Sequence, residues 1–120
     1  MVKQLHKGTE DDRRARIIDI SRARDAAYLP QLLARLDSDE TYENRRHIVR
    51  ALGNIGDQNA EAKLLGLLEA EEGVILGDVC EALGKLHSER ARPLLETLSG
   101  VNLEFVAQKA QWALKQLDGG

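Results

Sequence analysis

The stretch from Arg45 to Leu68, RRHIVRALGNIGDQNAEAKLLGLL, is largely repeated further along the chain. Its ALG triplet (51–53) recurs 31 residues later within EALGKLHSERARPLLETL (81–98), and QWALKQL (111–117) resembles it at the same offset again. Apolar residues at positions i, i+4 and i+7 of each copy lie on one side of an α-helix. The three copies therefore predict three equivalent helices, each with one buried side.

A second, leucine-rich element alternates with the first. It reads LLARL at 32–36, LLGLL at 64–68 and LLETL at 94–98. Between the two elements, Gly56 and Asp57 are typical of a helix end followed by a helix start. A period near 31 residues that contains two helices is typical of an α-solenoid, because stacked pairs bury the apolar sides that no single pair can bury alone.

We therefore predict an all-α fold, an α-solenoid of seven helices in three and a half antiparallel pairs that form a right-handed superhelix. The chain is expected to be one domain, 1–120, with residues 1–9 flexible. The predicted helices are 10–23, 27–37, 42–55, 58–70, 73–87, 89–99 and 102–117. The predicted repeats are 10–37, 42–70 and 73–99, followed by a half-repeat at 102–117.

Charge and composition narrow the classes of function. The 120 residues carry 20 acidic and 17 basic side chains, for a net charge of −3, which disfavours general binding of nucleic acid. Residues 1–60 are richer in arginine, but acidic residues alternate with the arginines at helical spacing and predict ion pairs on helix surfaces. The alternative for this half is an acidic protein partner. The sequence has a single cysteine, no signal-peptide core and no apolar run long enough to cross a membrane. These features predict a soluble cytoplasmic protein.

The segments VRALGNIGDQNAEAKLLGLL (49–68) and CEALGKLHSERARPLLETL (80–98) resemble HEAT-like repeats of the phycobilisome-lyase type. The resemblance covers roughly residues 11–118 and implies the solenoid fold. It implies two classes of function, either a subunit of the enzymes that attach or remove bilin chromophores on phycobiliproteins, or an adaptor with no chemistry of its own. Deoxyhypusine hydroxylase is a further relative and binds iron through His-Glu dipeptides. This chain has none, since its nearest segment is His87-Ser88-Glu89.

The sequence contains no recognisable catalytic or metal-binding motif. His6, His47, His87 and Cys80 do not share the spacing of a metal site, and no phosphate-binding glycine loop is present. We therefore expect no catalytic residue, no cofactor and no metal site. Cys80 replaces Val49 of the preceding repeat, which predicts a small buried hydrophobic residue. The alternative is a thiol for bilin or redox chemistry, which requires exposure and a lowered pKa.

A candidate partner surface is predicted on the second helices, which usually line the concave side of a solenoid. The fourth position of the leucine-rich element is expected to face solvent and reads Arg35, Leu67 and Thr97. Leu67 is thus apolar at an otherwise polar position, with Arg35 on one side and Glu96 on the other. The alternative is a single exposed leucine, which is ordinary.

Trp112 is the second candidate. Its counterparts in earlier repeats are the solvent-facing Arg50 and Glu81, so the tryptophan is expected to be either a contact anchor or a local cap near the C-terminus. The chain ends after a first-type helix, which predicts an under-covered apolar flank and, through this open C-terminal end, self-association or docking to another protein. The residues expected to form that flank are Val106, Ala110 and Ala113.

The sequence favours a non-catalytic protein-binding adaptor. The alternative is a bilin lyase-type subunit, or a phycobilisome-related factor that handles the chromophore of a phycobiliprotein, and weak nucleic-acid binding through the arginine-rich half is third. No membrane partner is expected. The candidate partner-binding residues are Arg35, Leu67, Glu96 and Trp112.

Overall fold

The computed structural model describes residues 5–119, which form seven α-helices and no strand. This confirms the all-α prediction and its order of elements. A short 3₁₀ turn precedes each even-numbered helix, at Ala26–Tyr28, Gln58–Ala60 and Glu89–Ala91. The helices are α1 (Glu10–Ala23), α2 (Leu29–Leu36), α3 (Tyr42–Ile55), α4 (Glu61–Ala70), α5 (Val74–Lys85), α6 (Arg92–Leu98) and α7 (Glu104–Leu117).

The 3₁₀ turns explain where the predicted boundaries were wrong. The helices expected from residues 27, 58 and 89 begin as α-helices only at 29, 61 and 92. Before α2 and α4, the carboxylates of Asp25 and Asp57 accept hydrogen bonds from the N–H groups of Ala27 and Asn59, two residues on. Such a bond closes a tight turn, so the α-helix starts after it.

Leu5 and Thr9 of the N-terminal segment contact the rest of the described structure. Leu5 is fully buried in the core, and Thr9 begins α1 with a capping box. The Thr9 hydroxyl accepts from the Asp12 N–H at 3.1 Å, while the Asp12 carboxylate accepts from the Thr9 N–H at 3.0 Å. The flexibility predicted for residues 1–9 stays a prediction, and the burial of Leu5 and the cap at Thr9 are contacts that oppose it. Residues 1–4 lie outside the described residues.

The odd-numbered helices pack directly on one another, α1 on α3, α3 on α5 and α5 on α7. Glycines of the ALG triplet make this possible. A Cβ atom on Gly53 would lie 2.9 Å from the Cα atom of Ala82, and one on Gly84 would lie 2.8 Å from the Cα atom of Ala113. The glycine of one triplet thus packs on the alanine of the next repeat, which gives a physical reason for the 31-residue period.

The even-numbered helices form a looser second layer. Each packs on the odd-numbered helix that follows it, α2 on α3, α4 on α5 and α6 on α7, and makes few contacts with other even-numbered helices. The stack is therefore tighter on its odd-numbered side. The clefts described below lie on that side, and not on the second helices where the partner surface was expected.

A continuous core of leucine, isoleucine, valine and alanine lies between the two layers. Leu52 and Leu83, which are equivalent in the repeat, are both fully buried. Each buried leucine stabilises the fold by roughly 1.5–3 kcal/mol relative to an exposed one. Within residues 5–119, no helix is both long enough and apolar enough to cross a membrane.

Candidate functional site

Leu67 is not part of an exposed surface. Its side chain is 7% exposed and belongs to the core. The expectation that it faces solvent was wrong because of helix geometry: at about 100° per residue, a residue three positions after Leu64 lies only about 60° away from it. Leu64, Leu67 and Leu68 therefore share one buried stripe, and Gly66 is the exposed residue between them.

Arg35 and Glu96 do not flank an exposed leucine, because Leu67 is buried. The Arg35 side chain is 11% exposed, and its guanidinium pairs with the buried carboxylate of Glu40 at 3.1 Å. Since so little of the side chain is exposed, the expectation that Arg35 faces outward was wrong. Glu96 is exposed on α6, in the even-numbered layer, and lies away from the clefts described next.

Three clefts follow one another along the odd-numbered helices. One, of about 280 Å³, lies between α1 and α3. A smaller one, of about 100 Å³, lies between α3 and α5, and the largest, of about 460 Å³, extends to α7. Asn54 lines all three, so we treat them as one surface, the odd-helix groove. Its principal residues are Arg22, Arg24, Arg50, Asn54, Glu81, Lys85, His87 and Trp112.

Asn54 also holds the groove together. Its amide N–H donates to the hydroxyl of Ser21 on α1 at 2.8 Å, and its amide oxygen accepts from the ammonium of Lys85 on α5 at 2.6 Å. One side chain on α3 thereby links three consecutive odd-numbered helices. Fixed side chains lose less conformational entropy when a partner binds, so this network prepares the surface for binding.

Trp112 stands at the α7 end of the groove and is 36% exposed. One edge of its ring packs on α5, since a Cβ atom on Gly84 would lie 3.0 Å from the Trp112 ring. Nearby, the Nδ1–H of His87 donates to the carbonyl oxygen of Gln116 at 3.2 Å. The indole and this positioned imidazole therefore line the same cleft. Of the four residues predicted to bind a partner, Trp112 is the one that lines the groove.

The arginines of the N-terminal half are mostly paired across the tertiary structure. Arg14 pairs with Glu10 within its own helix, as the spacing predicted. By contrast, Arg46 reaches from α3 to the buried Asp78 of α5 at 2.6 Å. Arg45 likewise reaches Glu71, 26 residues away, at 2.6 Å. These pairs fix helices relative to one another, in addition to supporting single helices.

Cys80 is fully buried, and burial raises the pKa of its thiol to about 12. The thiolate, which is the nucleophile, is therefore scarce at neutral pH. This confirms the prediction of a small buried hydrophobic residue. In the part of the chain that the structure describes, no three histidine, cysteine or carboxylate side chains come together as a metal site.

The apolar flank of α7 is covered. Val106, Ala110 and Ala113 are each at most 1% exposed, because α7 packs them against α5 and α6. The expectation of an under-covered flank was therefore wrong. At the position where α3 and α5 carry Gly53 and Gly84, α7 carries the exposed Lys115.

The repeats match a known family. The HEAT repeats family covers residues 29–115, well over half of the chain. The chain belongs to the HEAT repeat family. This HEAT repeat protein is also 35% identical over 85 residues to the bilin biosynthesis protein PecE of Nostoc sp., which confirms the resemblance to repeats of the phycobilisome-lyase type.

The alignment with PecE covers 71% of this chain but 32% of PecE. The HEAT repeat protein therefore spans about a third of the length of that relative. No solved structure matches the chain.

Proposed function

We propose that this protein is a partner-binding HEAT-repeat subunit in bilin handling, which holds a phycobiliprotein while another chain attaches or removes the chromophore. The similarity to the bilin biosynthesis protein PecE carries this proposal. A location in the cytoplasm is part of it. We assign the chain a holding role because stacked helical repeats form extended surfaces that bind partner proteins.

The surface that we assign to this role is the odd-helix groove. Its largest cleft, of about 460 Å³, lies within the range of known ligand sites, and Trp112 offers an exposed indole at its end. Tryptophan contributes strongly to binding energy at protein interfaces because it buries a large, rigid apolar area. The network around Asn54 supports a preformed surface.

Affinity purification tests the proposal. The tagged chain is co-expressed with a phycobiliprotein subunit and recovered, and the retained phycobiliprotein is quantified by its absorbance and by mass spectrometry. Trp112→Ala is the test variant, and Lys115→Ala is the control because it changes another exposed residue of α7. We expect retention by the wild type and by Lys115→Ala, with a loss of about tenfold for Trp112→Ala. Failure of the wild-type chain to retain the phycobiliprotein would contradict the proposal.

A general protein-binding adaptor is the second candidate. The HEAT repeats matched over residues 29–115 support it, since such repeats form binding surfaces for many kinds of partner. The same purification distinguishes the two. Reproducible recovery of a different protein, lost with Trp112→Ala, would support the adaptor and remove the bilin role. Self-association would instead be seen as a concentration-dependent mass in light scattering.

A further inference from the structure

Three arginines have no partner within the described residues. Arg22, Arg24 and Arg50 form no ion pair and no hydrogen bond there, whereas every other arginine of residues 5–119 has at least one such contact. All three are exposed. A chain with 20 carboxylates could have supplied counter-charges, so the three cations form a distinct feature of its surface.

The three arginines also lie on one surface. Arg22 and Arg50 line the cleft between α1 and α3, and Arg24 lines the cleft that contains Trp112. Asn54 borders both clefts. The odd-helix groove therefore carries unpaired positive charge at its α1–α3 end and an exposed indole at its α7 end. Cations that lie together without counter-charges attract an anionic partner.

Backbone geometry adds an independent observation. Arg24 has φ of 52° and His87 has φ of 53°, in the left-handed region, while their repeat equivalent Gly56 has φ of 73°. A residue with a side chain costs roughly 1–2 kcal/mol in this conformation, and glycine avoids most of that cost. Both strained residues line the cleft of Trp112. A left-handed residue is a common way to end a helix, so what distinguishes Arg24 and His87 from Gly56 is that each brings a side chain to this cleft.

We propose that the odd-helix groove binds an acidic segment of a protein partner, whose carboxylates pair with Arg22, Arg24 and Arg50 and whose neighbouring apolar side chain packs on Trp112. Guanidinium groups suit this role because they bind carboxylates through two parallel hydrogen bonds. The inference deepens the proposed function by giving the chemistry of the bound segment. It rests on that function only for the partner's identity.

A protein segment fits the groove better than nucleic acid does. Asp78 and Glu81 line the middle of the groove, and Glu81 pairs with Lys109 at 3.0 Å. Their carboxylates interrupt the positive surface, which disfavours a phosphate backbone with its even spacing of negative charge. A peptide can carry its acidic residues at one end of the groove and an apolar residue at the other.

Trp112 is the only tryptophan of the chain, so its fluorescence reports directly on the groove. The probe is the synthetic peptide EELEELEELEE, and its uncharged counterpart QQLQQLQQLQQ is the control. We expect a saturable change in Trp112 emission with the acidic peptide only. Arg24→Gln and Arg50→Gln should each weaken the affinity by about fivefold or more, because each removes a charge that the peptide requires. Circular dichroism checks that both variants fold.

The matched control variant is Lys115→Gln, which removes one positive charge from an exposed residue outside the groove. Its affinity for the peptide should stay within about twofold of the wild type. Equal weakening by Lys115→Gln and Arg50→Gln would overturn the proposal, since it would show unspecific charge attraction. The absence of a saturable change in Trp112 emission would also overturn the proposal. Tighter binding of an oligothymidine strand than of the acidic peptide would overturn it as well.

The two proposals can fail separately. Peptide binding in the groove without retention of a phycobiliprotein would leave the acidic-segment site intact and remove the bilin role. Retention of a phycobiliprotein that survives Arg24→Gln and Arg50→Gln would leave the bilin role and overturn the acidic-segment site.

Discussion

Gly84 and Gly66 are both glycines inside helices, but their surroundings differ. A Cβ atom on Gly84 would lie 2.8 Å from the backbone of α7, at Ala113, whereas a Cβ atom on Gly66 would meet no atom of residues 5–119 within 4 Å. Alanine is favoured over glycine in a helix by about 1 kcal/mol. At Gly84 that gain is opposed by the clash between α5 and α7, and at Gly66 nothing opposes it.

We therefore expect opposite effects from the same substitution. Gly84→Ala should lower the free energy of unfolding by about 1–3 kcal/mol, as overpacking does. Gly66→Ala should raise the free energy of unfolding by about 0.5–1 kcal/mol. Urea unfolding followed by circular dichroism measures both. A stabilised Gly84→Ala variant would mean that α5 and α7 are less tightly packed than described.

The burial of Leu67 gives a second prediction at the scale of single residues. Leu67→Ala should lower the free energy of unfolding by about 2–5 kcal/mol, because it leaves a cavity in the core. Thr97 occupies the equivalent position of the last leucine-rich element and is exposed, so Thr97→Ala should change stability by less than about 0.5 kcal/mol. Similar small effects of both variants in chemical unfolding would place Leu67 on the surface.

At the scale of elements, Glu40 connects the first three helices. Its carboxylate has no exposed area and accepts from Arg13 of α1 at 2.8 Å, from Arg35 of α2 at 3.2 Å and from Asn44 of α3 at 3.2 Å. Burial opposes the ionisation of Glu40, but the hydrogen bonds from Arg13, the Thr41 N–H and Asn44 outweigh it and lower the pKa to about 2. The buried carboxylate of Glu40 thus connects α1, α2 and α3.

This lowered pKa predicts a pH dependence. A carboxyl group whose folded pKa lies below its ordinary value of 4.5 stabilises the fold above about pH 4.5, and that contribution is lost as the pH falls toward 2. Glu40→Gln should lower the free energy of unfolding at pH 7 by about 1–3 kcal/mol, since it leaves buried donors without a charged acceptor. The difference from the wild type should shrink between about pH 4.5 and 2.

Asp39→Asn is the control for Glu40→Gln, because Asp39 is the exposed neighbouring carboxylate. Thermal unfolding at several pH values measures both variants. A difference between wild type and Glu40→Gln that is independent of pH would show that the charge of Glu40 does not stabilise the repeat.

At the scale of the whole molecule, the helices differ in how many neighbours they have. α3 packs on α1, α2 and α5, and α5 packs on α3, α4 and α7, whereas α1 packs mainly on α3. In a solenoid each repeat is stabilised by its neighbours, so repeats at the ends open more easily. We expect amide hydrogen exchange to be slowest in α3 and α5 and faster in α1 and α7. Slowest exchange in α1 would contradict a stack stabilised from its middle.

The sequence predicted the number, order and type of the elements because this information is local. The spacing of Leu52, Leu83 and Leu114 gives the repeat, and the apolar period gives the buried side of each helix. The sequence could also have placed Leu67 in the core, since the angle between Leu67 and Leu64 around the helix axis follows from helix geometry alone. The starts of α2 and α4 were less predictable, because an aspartate such as Asp25 or Asp57 can begin a 3₁₀ turn or an α-helix.

The sequence by itself determined the repeat, the two layers of helices and the family of this protein. Only the tertiary structure decided how the clefts of the odd-helix groove join and which arginines of residues 5–119 lack partners. Arg46 and Arg50 look alike in sequence, yet Arg46 meets a buried carboxylate 32 residues away, and Arg50 meets none among residues 5–119. The physical reason is that periodicity fixes the direction of a side chain around its own helix, while its partners depend on how closely the next helix packs.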